Sequence, residues 1–215
     1  MCIPQAIKLG TDFSGLGCFE LAAQRVAEVL GHVTEVMFSC DANKDCQMVL
    51  LENHRPRVFY PDVAMRAHDQ AAAVDWYGAG FPCQPFSNAG LGMGIDDAQS
   101  RGLLVAHSLE YVRCSQPSLV IYENVTGILH KKHRPLLLWL LRVLQDLGYQ
   151  TWVRVLNTKN YGIPHNRARV YIVAIKSGAL KRAFVWPTEF DPPLDLDVFL
   201  TGSALLPRNP GRSAN

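Results

Sequence analysis

The residues best suited to covalent chemistry in this chain lie in Phe81-Pro82-Cys83-Gln84-Pro85-Phe86-Ser87, directly after an apolar run ending Trp76-Tyr77-Gly78-Ala79-Gly80. Pro82 fixes its own φ and biases Phe81 toward extended geometry, and Pro85 does the same to Gln84, so the Cys83 thiol rides on a stiff loop. A cysteine taken alone reads as a small buried hydrophobe. Its setting changes that reading. Acidic residues also stand at the ends of apolar runs: Asp41 after Val33–Ser39, Asp62 in the run from Val58 to Val63, and Glu123 after Ser118–Tyr122. A thiol and a carboxylate at one rim suit nucleophilic addition aided by proton transfer.

Periodicity predicts the elements that must hold these groups. Ala6–Leu9 reads as a short strand, Gly10–Cys18 as a glycine-rich turn and Phe19–Leu30 as an apolar-periodic helix. Strand, glycine turn and helix together let backbone approach a ligand closely and aim helix N–H groups at it. Val33–Ser39 reads as a second strand ending at Cys40-Asp41, where a doubly wound nucleotide-binding fold holds ribose hydroxyls. Asp41 equally suits the N-cap of a helix over Lys44–Asn53. A third βα unit is expected from Val58–Val63 and the alanine-rich Met65–Ala73, then a strand at Val74–Ala79 and a helix over Ser100–Cys114. Ser118–Tyr122 has the continuous apolar character of a buried parallel strand. A helix over Leu136–Leu147, closed by Gly148, and strands at Thr151–Leu156 and Val170–Ile175 complete the set.

This alternation predicts an α/β fold with a doubly wound, mostly parallel sheet. Ligands of such sheets lie outside the carboxyl ends of the strands, so one crevice should collect Gly15, Gly17, Asp41, Asp62, Cys83 and Glu123. Two acidic groups and a glycine turn without a phosphate-gripping lysine suit a nucleoside-type cofactor. Residues 1–180 are expected to form one domain. Residues 181–215, with five prolines between Pro187 and Pro210, read as an irregular extension.

Hydrophobic residues make up 48% of the chain and charged residues 19%, the composition of an ordinary globular protein. A net charge of +2 does not announce a nucleic-acid binder, although a local basic surface can act within a near-neutral chain. Cysteines at 2, 18, 40, 46, 83 and 114 form no CxxC pair and have no histidine at ligand spacing. That argues against a metal site and against a disulfide scaffold, and fits a reducing compartment. The densest apolar run, Leu136–Leu141, is far shorter than the roughly 20 residues of a membrane span. The expectation is a soluble intracellular protein, nuclear in a eukaryote and cytoplasmic in a bacterium.

Five segments together carry a resemblance. Phe13-Ser14-Gly15-Leu16-Gly17, Gly80 to Ser87, Ser100-Arg101-Gly102-Leu103, Glu123-Asn124-Val125 and Tyr161 to Arg169 are similar, in this order, to the motifs of the cytosine-C5 DNA methyltransferases. The similarity covers residues 7 to about 175 and implies the Rossmann-like fold of methyltransferases that use S-adenosylmethionine. It implies that Cys83 adds to C6 of a flipped cytosine, that Glu123 engages N3, that Arg169 holds O2 and that Arg167 supports the loop. It also implies S-adenosylmethionine bound by Phe13, Gly15, Leu16 and Gly17, with Asp41 on the ribose, Asp62 and Val63 on the adenine, and Pro82 and Leu104 nearby. The implied partner is DNA, with RNA as the alternative acceptor and no membrane.

Three departures from the family pattern stand out. Thr11 occupies the place of a usual acidic residue, with Asp12 one position later. His165 stands where glutamine is usual. Only 46 residues follow Arg169, with no further glycine–asparagine motif and no room for a reader of base edges. Either a second polypeptide supplies target recognition, or the chain is a shortened relative whose activity is weak or lost; a non-catalytic, methyltransferase-like partner subunit is the alternative from another class. Taken alone, Arg167 and Arg169 read as solvated charges on a strand edge, and His130-Lys131-Lys132-His133-Arg134 as a solvated loop. A cysteine hydrolase is disfavoured, because no histidine lies near Cys83 in sequence.

Overall fold

The computed structural model describes residues 5–82 and 104–189. Cys83, the glycines at 90, 92 and 94, the motif residues 100–103 and the tail beyond 189 lie outside them. Seven strands are seen: β1 (Ala6–Asp12), β2 (Val33–Cys40), β3 (Val58–Tyr60), β4 (Trp76–Ala79), β5 (Leu119–Val125), β6 (Tyr149–Asn157) and β7 (Ala168–Lys176). The α-helices among the described residues are α1 (Cys18–Val29), α2 (Lys44–Asn53), α3 (Leu104–Ser115) and α4 (Arg134–Asp146). The sheet order is β3-β2-β1-β4-β5-β7-β6. Pairs from β3 through β5 are parallel, and β7 runs antiparallel to β5. This is the expected α/β, doubly wound, mostly parallel sheet.

Right-handed crossovers place α1 and α2 on one face and α3 on the other, because the strand order reverses between β1 and β4. α4 buries Leu136, Leu137, Leu140, Val143 and Leu144, the i, i+1, i+4, i+7, i+8 stripe of a core-facing helix. They pack with Tyr77, Leu109, Tyr111, Tyr122 and Ile172 into the larger core. On the opposite face α1 sets Ala23 against Leu9 and Val36. Beyond α1 no helix among the described residues lies on that face of β4 and β5. Trp76, Leu119 and Ile121 instead line an apolar groove of about 210 Å³ beside Phe19 and Val26.

Two expectations need correction. Met65–Ala73 forms no α-helix; a single 3₁₀ turn, Val63–Met65, is followed by extended chain at Arg66. Alanine propensity is overridden because the Arg66 guanidinium is buried against Asp12, which a continuing helix would turn away. Asp41 does not cap α2: Asn43 does, accepting from the backbone N–H groups of Asp45 and Cys46.

The Arg66–Asp12 pair is the centre of a buried polar network. Nη1 and Nη2 of Arg66 donate to the two Asp12 carboxylate oxygens at 2.6 and 2.7 Å, and neither side chain is exposed. Phe38, Tyr111 and Tyr60 stack around the guanidinium at 4.8, 4.9 and 5.3 Å, where cation–π attraction adds to the ion pair. The Tyr77 hydroxyl donates to Asp12 and also meets Ser108, which in turn reaches Tyr122. Burial works to lower the Arg66 pKa, but the Asp12 charge and its hydrogen bonds, with smaller contributions from Tyr77 and Cys40, together outweigh it and hold the guanidinium firmly protonated.

His68 lies beside this pair, its Nδ1 accepting from Arg66 Nε at 3.3 Å. Burial first, and the Arg66 charge second, lower its pKa from 6.5 to about 4. The unfolded chain therefore takes up this proton before the folded one does. Stability is fully present above pH 6.5 and is lost as pH falls toward 4. Discounted for partial exposure, the loss is about 1–2 kcal/mol. In urea titrations His68→Gln should lose less stability than the parent between pH 7 and 4.5; equal losses would remove His68 as the cause.

Among the described residues, the four α-helices and nearly the whole sheet belong to one compact unit, residues 5–82, 104–155 and 169–185. Among the described residues, 156–168 and 186–189 belong to a second. Within it, Asn157 Oδ1 accepts from the Arg167 and Lys159 N–H groups, and Asn157 Nδ2 donates to Asn166.

Candidate active site

The site is built on the carboxyl ends of β1, β2, β4 and β5. After Asp12 the chain leaves β1 through Phe13 and Gly15, both at positive φ, and reaches Gly17, at φ 85°, as N-cap of α1. A side chain at Gly17 is disfavoured twice, by that left-handed backbone and by the His54 ring, which stands where a Cβ would be and would have to move. Gly17→Ala should therefore cost at least about 1–2 kcal/mol, read as a lower urea midpoint. An unchanged midpoint would mean that the turn relaxes away from His54.

The turn is tied sideways to β2. Ser14 N donates to the Cys40 carbonyl at 3.0 Å, and Cys40 N donates to Ser14 Oγ at 3.1 Å. Gly15 N donates to Asp41 Oδ2 at 2.8 Å, while Asp41 Oδ1 accepts from Asn43 N. Asp41 N in turn bonds the Tyr60 carbonyl at the end of β3. Asp62 follows, its Oδ1 accepting from Ala64 N, and Val63 packs inward at 3% exposure. Leu16 projects into solvent. These contacts also explain the shift of the acidic position. Asp12 turns to Arg66, while Thr11 meets the carboxylate of Glu20, which α1 supplies and which also accepts from Ser39.

Gly80, at the end of β4, lies between the two halves of the site. A Cβ there would be 3.6 Å from the Phe13 carbonyl oxygen and 3.7 Å from Glu123 Oε2. Phe81 packs edge-on against Tyr122, and Pro82 is exposed. Asn124 Nδ2 donates to the Phe81 carbonyl at 2.8 Å, anchoring the chain two residues before Cys83. Cys83 itself lies outside the described residues, and Leu104, half-buried, opens α3.

Glu123 and Arg169 meet because β7 is antiparallel. Val125 pairs with Arg169 and Glu123 with Tyr171, so Glu123 and Arg169 are diagonal neighbours on one face. A parallel β7 would carry the start of that strand, and Arg169 with it, to the opposite rim. Arg169 Nε stands 3.1 Å from Glu123 Oε1, with each side chain about one-fifth exposed (21% and 23%). Arg167 belongs to the second unit.

Sequence reasoning assigned no role to Asn124, Ser14, Glu20 or Arg66. Asn124 was visible as the middle of Glu-Asn-Val. Ser14 and Glu20 flank the glycine turn and carry no separate signal. Arg66 carried none at all.

The donor set fits a nucleoside-bearing cofactor. Gly15 has nothing within 4 Å of its absent Cβ, so the turn presents bare backbone. Asp41 and Asp62 are held by backbone N–H groups with acceptor capacity to spare. Among the described residues no group of His, Cys, Asp and Glu suits a metal ion, and no helix is long and apolar enough to cross a membrane.

Comparison with known proteins agrees with this architecture. The profile of the family described as C-5 cytosine-specific DNA methylase matches residues 10–197. The type II methyltransferase M.HgiBI of Herpetosiphon aurantiacus is 31% identical over 180 residues, covering 81% of this chain and 38% of its own. M.BanI of Aneurinibacillus aneurinilyticus is 32% identical over 170 residues, covering 79% and 38%. The chain thus spans about two-fifths of the length of these curated relatives. Among solved structures, a DNMT2 mutant from Spodoptera frugiperda superposes with a TM-score of 0.67 at 19% identity, over 91% of this chain and 60% of its own.

Proposed function

Because the chain belongs to the C-5 cytosine-specific DNA methylases, we propose that it transfers a methyl group from S-adenosylmethionine to C5 of cytosine in DNA. The observation that carries this reading is the Glu123–Arg169 pair at 3.1 Å, one residue from the Asn124 side chain that holds the Phe81 carbonyl.

The cofactor supplies an electrophilic methyl group. Phe13, Gly15, Leu16 and Gly17 would hold it, with Asp41 at the ribose, Asp62 and Val63 at the adenine, and Pro82 and Leu104 at the edge. Cys83, as thiolate, would add to C6 of a cytosine swung out of its duplex and so make C5 nucleophilic. Glu123 would bond N3 and keep a proton there during attack. Arg169 would hold O2 and keep the carboxylate of Glu123 in place, and Arg167 would support the segment entering β7. Loss of the C5 proton and of the sulfur–C6 bond then frees Cys83.

The test is covalent trapping on DNA containing 5-fluorocytosine with S-adenosylmethionine, comparing the chain with Cys83→Ser. Fluorine at C5 cannot leave as a proton does, so a Cys83-dependent adduct stable to denaturation is expected. No adduct, or one that survives Cys83→Ser, would overturn the reading. Faster labelling of tRNA than of DNA would overturn the choice of acceptor. A second polypeptide that reads base edges fits this assignment, and its addition would favour trapping on one sequence over others.

A further inference from the structure

We propose that the buried Asp12–Arg66 pair is a positioning element for the cofactor cradle, a role resting on the cofactor reading above. Asp12 is the last residue of β1, and its successor Phe13 begins the glycine turn. Arg66 closes the 3₁₀ turn begun by Asp62 and Val63. The pair therefore joins the segment that would carry the methionine end of the cofactor to the segment that would carry its base.

The geometry is specific to this role. A guanidinium fork grips both carboxylate oxygens, which fixes orientation as well as distance. Three aromatic rings hold the guanidinium, and Tyr77 on the sheet holds the carboxylate, its hydroxyl in turn met by Ser108 of α3. The Asp12 carbonyl meanwhile accepts from Gly80 N, so the same residue also bears on the strand that leads to Cys83. A buried ion pair is seldom worth more to stability than apolar residues of the same size. Its yield here is geometric: two cradle segments set at a fixed separation by side chains that cannot rotate.

The experiment measures S-adenosylmethionine affinity by calorimetry and thermal midpoint on the same samples. Asp12→Leu combined with Arg66→Met replaces the pair by apolar groups and should keep the midpoint close to that of the parent. Affinity should fall about ten- to a hundredfold, the usual loss when a partner that orients a ligating group is removed. Arg66→Lys keeps the charge without the fork and should show the same split, which decides the matter if the double variant does not fold. Leu140→Ala, in the core under α4, should lower the midpoint and leave affinity unchanged. Parent-like affinity in Arg66→Lys or in the folded double variant would overturn the positioning role and leave the cofactor reading standing. A parent chain that does not bind S-adenosylmethionine would overturn both.

Discussion

A chain carrying Glu123→Gln should methylate DNA about a hundred- to ten-thousandfold more slowly than its parent, with affinity for S-adenosylmethionine unchanged. The amide matches the carboxylate in size and still bonds a base edge. It cannot exchange a proton with N3, and it offers Arg169 no charge. Arg169 keeps its place on β7, so the loss falls on the chemical step rather than on the sheet. Single-turnover rates with saturating cofactor measure it. A rate within a few-fold of the parent would remove proton transfer from the role of Glu123. A matching loss of cofactor affinity would show that the substitution disturbs Gly80, which lies between Glu123 and the Phe13 carbonyl.

The second large effect is on stability. Arg66→Ala should destabilise the fold by about 3–5 kcal/mol, lowering the thermal midpoint by roughly 10 °C. The cost comes from what is left behind: Asp12 remains wholly buried with no cation, and Phe38, Tyr60 and Tyr111 lose the group they surround. Tyr77 still donates to Asp12, which offsets part of the loss. A fall below about 1 kcal/mol would mean that water enters the space vacated by the guanidinium.

Much of this architecture is legible in the residues. α2 spans the expected Lys44–Asn53 after an Asp/Asn-rich turn that suits a helix cap, and α1 follows the glycine turn before it. β5 reads as a parallel strand because Leu119–Tyr122 is continuously apolar; Val120 and Tyr122 enter the larger core, and Leu119 and Ile121 face the groove beside α1. Local pattern misled at Met65–Ala73, where alanines suggest a helix but the buried Arg66 takes an extended backbone and the chain then makes a single turn at 68–70. Asp41 was legible as a rim residue; that Asn43 takes the cap was not, since both residue types suit it. Insertion of β7 between β5 and β6, with reversed direction, has no local signature. The chemistry depends on it nevertheless, because it sets Arg169 beside Glu123. Asp12 and Arg66 are 54 positions apart, and neither residue alone announces the other.

The groove beside α1 bears on how the chain behaves in bulk. Val26, about half exposed, lines this groove with Trp76, Leu119 and Ile121, and Leu21, Val29 and Leu30 of the same helix region add further exposed apolar side chains, a surface of the kind that drives self-association. The weak net charge of +2 offers little long-range repulsion to oppose it. Light scattering should accordingly give a negative osmotic second virial coefficient at neutral pH. Ile121→Lys, which sets a cation into the groove, should move that coefficient toward positive values and raise the concentration at which the protein clouds.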